Sequence, residues 1–325
     1  MDPQSLIRRV CDAAFVALLA GGVATGGSAA LAGLPKFMEA ALPGMAAHAR
    51  PDEGARSQTR FVLAEGFAQS RYAPQVLYPV TAHPFPDWLT RPPAAPRRPV
   101  IAIVIDDLGE DLAGTDRAMM LPKEVALSFL PYPETTPFLA EAAAKRGHLI
   151  LAHVPMQPLS GSTHAPMTLN PNMTADEITR RLNWNLARVP GIAGINNHEG
   201  SRFTAHAASL TPVMATLKSR GLFFFDSRTG PSSRAERVAA DMGVMSAGRD
   251  IFLDDVPGEA EVAAQLKALV REARRTGVAI AIGHPRDATL TLLKKFLFQD
   301  HGVTLVPLDE AMRLKASRGL VFASR

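Results

Sequence analysis

Hydrophobic and polar positions change rhythm near residue 99. Beyond Pro99, short apolar runs alternate with amphipathic stretches to the end of the chain: Val100 to Ile105, Val125 to Phe129, Leu149 to Ala152, Ile192 to Ile195, Leu222 to Phe225, Val278 to Ile282 and Val303 to Val306, with a weaker one near Val244. In these runs apolar residues occupy successive positions, as strands buried on both faces of a parallel sheet require. Between them lie recognisable helix starts. Thr174-Ala175-Asp176-Glu177 predicts a capping box opening a helix to about Arg188, and Thr211-Pro212 predicts an N-cap and first-turn proline for a helix ending near Gly221. A further helix is predicted from about Glu259 to Thr276, closed by Gly277.

Strands alternating with helices imply a parallel sheet covered by helices, either doubly wound or closed into a barrel. No glycine-rich phosphate loop follows the first strand, which favours a deformed (β/α) barrel of about seven parallel strands over 99–325. Residues 35–98 lack a sustained period and end in Pro92-Pro93-Ala94-Ala95-Pro96-Arg97-Arg98, the composition of a linker or stalk. Residues 1–34 read as a signal peptide or membrane anchor. Arg8-Arg9 precede an Ala, Gly, Val and Leu run from Ala13 to Leu34, Ala30-Leu31-Ala32 offers a cleavage site, and ~20 apolar residues span a bilayer. Leading positive charge puts the rest of the chain outside the cytoplasm, in the periplasm or an equivalent space, with membrane contact only through this segment.

Composition adds exclusions. Hydrophobic residues make up 47% of the 325 positions, enough for a substantial core, and the formal charge is only +4. Lys and Arg are scattered without interleaved aromatics, so no nucleic-acid partner is expected, and the basic excess reads as a solvated surface in preference to one drawn to an anionic envelope polymer or membrane. The single cysteine, Cys11, precedes the apolar run, so an exported body holds no disulfide.

Chemistry collects where the predicted strands end, the place where parallel α/β folds carry their functional groups. These ends are Asp106-Asp107-Leu108-Gly109, His153-Val154-Pro155, Asn196-Asn197-His198, Asp226-Ser227-Arg228 and Gly283-His284-Pro285. Each has a bland reading: the acidic pair as a helix cap, each lone histidine as a structural one, Asp226 as a partner of Arg228. Five strands delivering Asp, His, His, Asp and His to one rim is more than packing requires. His148, His164, His206 and His301 lie off these positions, Asp254-Asp255 reads as a turn or as a further pair reaching the rim, and Trp184 reads as helix packing.

The strings Ile105 to Gly109, Ala152 to Met156, Asn196 to Thr204, Phe225 to Thr229 and Gly283 to Pro285, in that order, resemble the divergent polysaccharide deacetylase family from Pro99 to about Leu314. That resemblance implies a NodB-like barrel of the carbohydrate esterase type and a metal-dependent hydrolase acting on N- or O-acetyl groups of an envelope polysaccharide. It also implies a divalent metal, zinc by expectation, and assigns Asp106 as general base, Asp107 and His153 as ligands and His284 as general acid. In the broader esterases a second histidine follows the first by four residues; here that position is Gln157, so His198 is expected to supply the missing ligand. Asp226 is expected to orient a site histidine, and Arg202 with Asn197 to hold a substrate group, the alternative for Arg202 being to brace its loop. The competing reading is a non-catalytic glycan-binding or division-associated envelope protein that retains the fold.

Overall fold

The computed structural model describes residues 96–161 and 165–323. The leader over 1–34 and nearly all of the linker over 35–98 lie outside the described residues. The first half of the described chain runs β1 (Val100–Leu108), α1 (Leu112–Ala118), β2 (Ala126–Phe129), α2 (Thr136–Lys145), β3 (Ile150–Met156), α3 (Ala175–Ala187) and β4 (Ile192–Glu199). There follow α4 (Ala207–Ser219), β5 (Phe223–Asp226), α5 (Ala235–Met242), β6 (Ser246–Gly248) and β7 (Ile251–Phe252). The chain closes with α6 (Glu259–Thr276), β8 (Val278–Gly283), α7 (Asp287–Leu297), β9 (Thr304–Leu305) and α8 (Leu308–Ala323). No helix among the described residues is long and apolar enough to cross a membrane.

The strands pair in the order β6-β5-β4-β3-β2-β1-β8-β7, all in parallel, and β9 joins the start of β1 at Val100 and Ile101. The outermost strands β6 and β7 are separated in sequence by only Arg249 and Asp250. With consecutive Cα atoms about 3.8 Å apart, the two edges of the sheet must come within about 11 Å of each other. The sheet meets this condition by curling into a deformed barrel. Its seam is stitched from both sides: the Arg249 N–H donates to the Asp226 carbonyl at 3.1 Å, and the Asp250 N–H donates to the Ile280 carbonyl at 2.8 Å. The Asp250 carboxylate accepts from the Ile280 N–H at 2.8 Å and from Lys315 Nζ of α8 at 2.6 and 2.8 Å.

Two apolar layers flank the sheet. Ile101, Ile103 and Ile105 of β1 pack toward α1 to α7, while Val100, Ala102 and Val104 pack inward with Phe223, Phe225, Ile280, Ile282 and the α8 residues Leu308, Ala311 and Met312. The inner space is tight. A Cβ on Gly194 would lie 2.4 Å from the Phe223 ring, so only glycine fits opposite that side chain.

The helices form where expected, with one start corrected and the capping box only half made, because the Glu177 carboxylate turns to Arg180 and Arg181. Thr174 Oγ1 caps α3 by accepting from the Glu177 N–H at 3.3 Å, and α6 ends on Gly277 in the left-handed region at φ 82°. The helix expected to open at Thr211-Pro212 starts a turn earlier, with His206 at the N-cap and Pro212 inside. Thr211 Oγ1 instead donates back to the Ala207 carbonyl at 3.2 Å, the bond a hydroxyl makes within a helix and not at its start.

Candidate active and metal site

Side chains alternate along a strand, so the inward rows that fill the barrel continue into its mouth. Val100, Ala102 and Val104 lead to Asp106; Leu151 leads to His153; Phe223 and Phe225 lead to Ser227; Ile280 and Ile282 lead to His284. Asn196 and His198 share one face of β4, and Phe252 of β7 leads to Asp254.

Asp107 breaks the rule. As the neighbour of Asp106 it belongs on the outer face, toward the helices. Its backbone adopts φ +58°, and the β1–β2 register shifts between Ile105 and Leu108, so both carboxylates serve the same mouth. A non-glycine residue in the left-handed region costs roughly 1 kcal/mol, a strain typical of functional positions.

The fully buried Asn196 organises the centre. Carboxylates only accept, so its amide nitrogen must face Asp106, donating at 2.9 Å to each oxygen and at 3.1 Å to Ser227 Oγ. Its carbonyl oxygen then accepts from Ser128 Oγ at 2.6 Å and from His153 Nδ1 at 2.9 Å. Holding the hydrogen on Nδ1 leaves His153 Nε2 directed at the acids, 3.2 Å from Asp107 Oδ1 and 3.7 Å from Asp106 Oδ2.

His198 Nδ1 lies 2.9 Å from the same Asp107 oxygen, and its ring meets His153 edge-on at 5.0 Å. Asp107, His153 and His198 thus offer one ligand atom each within 4.8 Å of one another. One carboxylate oxygen and two imidazole nitrogens are a donor set that suits zinc and related divalent ions. The fixed Nδ1–H of His153, backed by Asn196, is the outer contact such a ligand needs.

His284 approaches from the other side, its Nε2 3.6 Å from Asp107 Oδ2. Asp254 holds it twice: Oδ1 accepts from Nδ1 and Oδ2 from the backbone N–H, both at 2.9 Å, and Oδ2 also accepts from Thr289 Oγ1 at 2.7 Å. Beyond His284, the Phe252 ring stands 5.4 Å away and carries the Arg249 guanidinium 4.5 Å from its centroid.

The electrostatics follow from burial and pairing. Burial pushes the Asp106 carboxyl up despite His153, His284 and Asn196, which work the other way. Burial also opposes ionisation of Asp107, but hydrogen bonds and charge from His153 and His198 outweigh it and hold that carboxyl far below the usual range. Burial disfavours charge on His153, yet Asp106 and Asp107 push it up to about 9. His284 is raised against burial by Asp254 and Asp107, and Asp254 is lowered against burial by its bonds from His284 and Thr289.

Of the residues expected from sequence, Asp106, Asp107, His153, His198 and His284 converge. Asp226 does not join them. Following Phe224 on the outer row, it accepts from Ser233 Oγ at 2.6 Å and from the Arg228 N–H at 2.8 Å, and Asp254 holds His284 in its place. Asn197, also on the outer row, ties β4 to β5: its Oδ1 accepts from the Ser227 N–H at 3.0 Å and its Nδ2 donates to the Glu199 carbonyl at 2.7 Å. Arg202 is exposed, and no hydrogen bond or ion pair of its guanidinium is present among the described residues. Gln157 braces the neighbouring loops: its carbonyl accepts from the N–H groups of Arg202 and Phe203 at 3.1 and 3.0 Å, and its Nε2 donates to the Gly161 carbonyl at 3.4 Å. The sequence does not single out Asn196, Ser128 or Ser227 as site residues, though each lies on an inner row, and it reads Asp254 first as a turn, whereas β7 carries it to the mouth.

The sequence pattern described as divergent polysaccharide deacetylase matches residues 103–312 and spans every residue of this cluster. The chain is 37% identical over 198 residues to the uncharacterized protein YibQ of Escherichia coli (strain K12), covering 61% of this chain and 62% of that one. It therefore spans less than two thirds of that relative's length. An uncharacterized protein of Haemophilus influenzae is 39% identical over 194 residues, covering 60% of this chain and 69% of its own. Among solved structures, the uncharacterized protein ATU2773 of Agrobacterium tumefaciens C58 superposes with a TM-score of 0.64 at 30% identity, over 67% of this chain and 91% of that one.

Proposed function

The chain belongs to the divergent polysaccharide deacetylase family, and on that premise we propose that it is a metal-dependent hydrolase removing N- or O-acetyl groups from a polysaccharide of the cell envelope. The observation that supports this most strongly is the pairing, across Asp107, of a buried carboxylate with a carboxylate-backed histidine beside a three-donor ligand cluster. Hydrolysis of an acetamide or acetyl ester needs a proton taken from water and a proton given to the leaving group, two tasks that suit two separate groups.

Asp107, His153 and His198 would hold the metal, zinc by its preference for such donors; when bound it acts as a Lewis acid toward the acyl carbonyl and makes water more acidic. Asp106 takes the proton of the attacking water. Its raised affinity for protons suits a base, and the Asn196 amide keeps both of its oxygens fixed in the mouth. His284 Nε2 delivers a proton to the departing amine or alcohol, while Asp254 steadies Nδ1 and the imidazolium form. Water adds to the carbonyl carbon, the C–N or C–O bond breaks, and acetate leaves with the protonated amine or alcohol. Arg202, exposed on the β4–α4 loop, is the group we assign to the polymer's hydroxyl or anionic substituents. The apolar run Ala13 to Leu34 behind Arg8-Arg9 supports a location outside the cytoplasm.

The test combines metal content with acetate release. Purified full-length protein is expected to carry stoichiometric metal that Asp107→Ala and His198→Ala lose, and Asp106→Asn is expected to abolish acetate release from acetylated glycans while keeping the metal. Failure of the parent to bind any divalent ion would overturn the reading, and release surviving in Asp106→Asn would remove Asp106 from the chemistry.

A further inference from the structure

Opposite the catalytic mouth, at the end of the barrel where β1 and β8 begin, α6 and α7 enclose a groove of about 730 Å³. Its floor is apolar, with Leu266, Val270 and Phe296 among its lining, and its lip carries Lys267, Arg271, Arg274 and Lys295, all exposed. No carboxylate pairs with any of these four cations among the described residues; Arg274 donates to the His301 carbonyl at 2.8 Å. Cations at a helix C-terminus are ordinary, because they complement its dipole. That accounts for Arg274 and Lys295 but not for Lys267 and Arg271, which lie in mid-helix. Lys267, Arg271 and Arg274 follow one another at spacings of four and three on a single face, an arrangement in which like charges repel and destabilise the helix. A stripe of that kind calls for negative charge from outside the domain.

Two further features say what brings it. Phe298, immediately after α7, is 77% exposed, the most exposed large apolar side chain among the described residues, and it adjoins Gln299 and Asp300 on the groove's lip. The chain also enters the domain here: Arg98 pairs with Asp300 at 3.2 Å, and 95 residues precede Pro96. Those residues contain the apolar run Ala13 to Leu34 and no acidic stretch that could fill the groove. Unpaired cations, an apolar floor and a protruding phenylalanine beside the incoming tether match an anionic bilayer surface, where phosphates meet the cations and the aromatic ring seats at the interface.

We propose that the α6–α7 groove is a docking surface for anionic phospholipid, holding the domain against a membrane with its catalytic mouth facing away.

The experiment uses the full chain with Cys11→Ser and Gln299→Cys, an environment-sensitive dye on the new thiol, and vesicles of phosphatidylcholine with or without phosphatidylglycerol. The dye reads the groove itself, so insertion of the amino-terminal apolar segment does not produce the signal. The expected result is a blue shift on the phosphatidylglycerol vesicles alone, reversed by high salt. Each cation near an anionic surface is worth about five-fold in partition. Lys267→Gln/Lys295→Gln is therefore expected to weaken the dye-reported binding on the order of 25-fold, and Phe298→Ala to reduce it further. All three side chains are exposed, so unchanged melting and unchanged acetate release should accompany the loss. An equal response on both vesicle types, undiminished binding in the double variant, or capture of a soluble acidic protein with no vesicle response would each overturn the proposal.

Discussion

Replacing Asn196 with alanine tests the centre of the site without any substrate. Four buried groups would lose their only direct hydrogen-bond partner among the described residues: the Ser128 and Ser227 hydroxyls, His153 Nδ1 and the Asp106 carboxylate, whose remaining neighbour His153 Nε2 is 3.7 Å away. Each orphaned buried group costs about 1–3 kcal/mol, so the unrelieved total is about 4–12 kcal/mol. The vacated space is polar on several sides and admits a water that restores some of these bonds, which brings the expected loss to about 3–5 kcal/mol. The assay is urea unfolding of parent and Asn196→Ala with a chelator present, so that bound metal does not contribute to stability. A zinc titration of the folded variant supplies the second readout. With His153 free to rotate, affinity should fall about 10–100-fold. A stability loss below about 1 kcal/mol would refute the idea that this amide satisfies the buried polar centre. Unchanged zinc affinity would refute the idea that it orients the histidine.

Asp254→Asn should lower kcat for acetate release by about 10²–10⁴ with little change in KM, because an amide cannot accept from all the donors directed at that carboxylate and no longer stabilises a charged His284; a kcat within threefold of the parent would show that His284 needs no such support. At the start of α3, hydrogen bonds from Arg180 and Arg181 lower Glu177 from its ordinary 4.5 to about 2. The carboxylate's contribution is therefore present above pH 4.5 and fades as pH falls from there toward 2. The side chain is 30% exposed, so the contribution is only about 0.5–1 kcal/mol. Glu177→Gln should lower unfolding free energy by that amount at pH 7, with the gap shrinking below pH 4.5 and closing below about pH 2; a gap that persists undiminished at about pH 2 would assign the effect to something other than the charge.

Most of the strand runs and their polar ends were legible because a parallel strand buried on both faces needs continuous apolar sequence. Less was legible about which strand-end residues meet. The decisive variable is row parity, and β1 displays it: Val100, Ala102 and Val104 face inward, so Asp106 does too. Applied to β4 and β5, the same count keeps Asn196, His198 and Ser227 and rejects Asn197 and Asp226. The parity of one strand relative to the next depends on pairing register, and six successive apolar residues do not reveal which three face inward. Asp254 was hidden for another reason: β7 is only Ile251–Phe252, too short to stand out as an apolar run. Nor does the seam at Arg249-Asp250 leave a local signature, since its bonds run to β5, β8 and α8. Asp107 lies beyond any counting rule. Strict alternation would send its carboxylate to the helix side; the left-handed backbone and the shifted register bring it into the mouth beside Asp106. A fold that needed only packing at this strand end would have no reason to hold that conformation, so the strain at Asp107 is itself an argument that two adjacent carboxylates are required on one face.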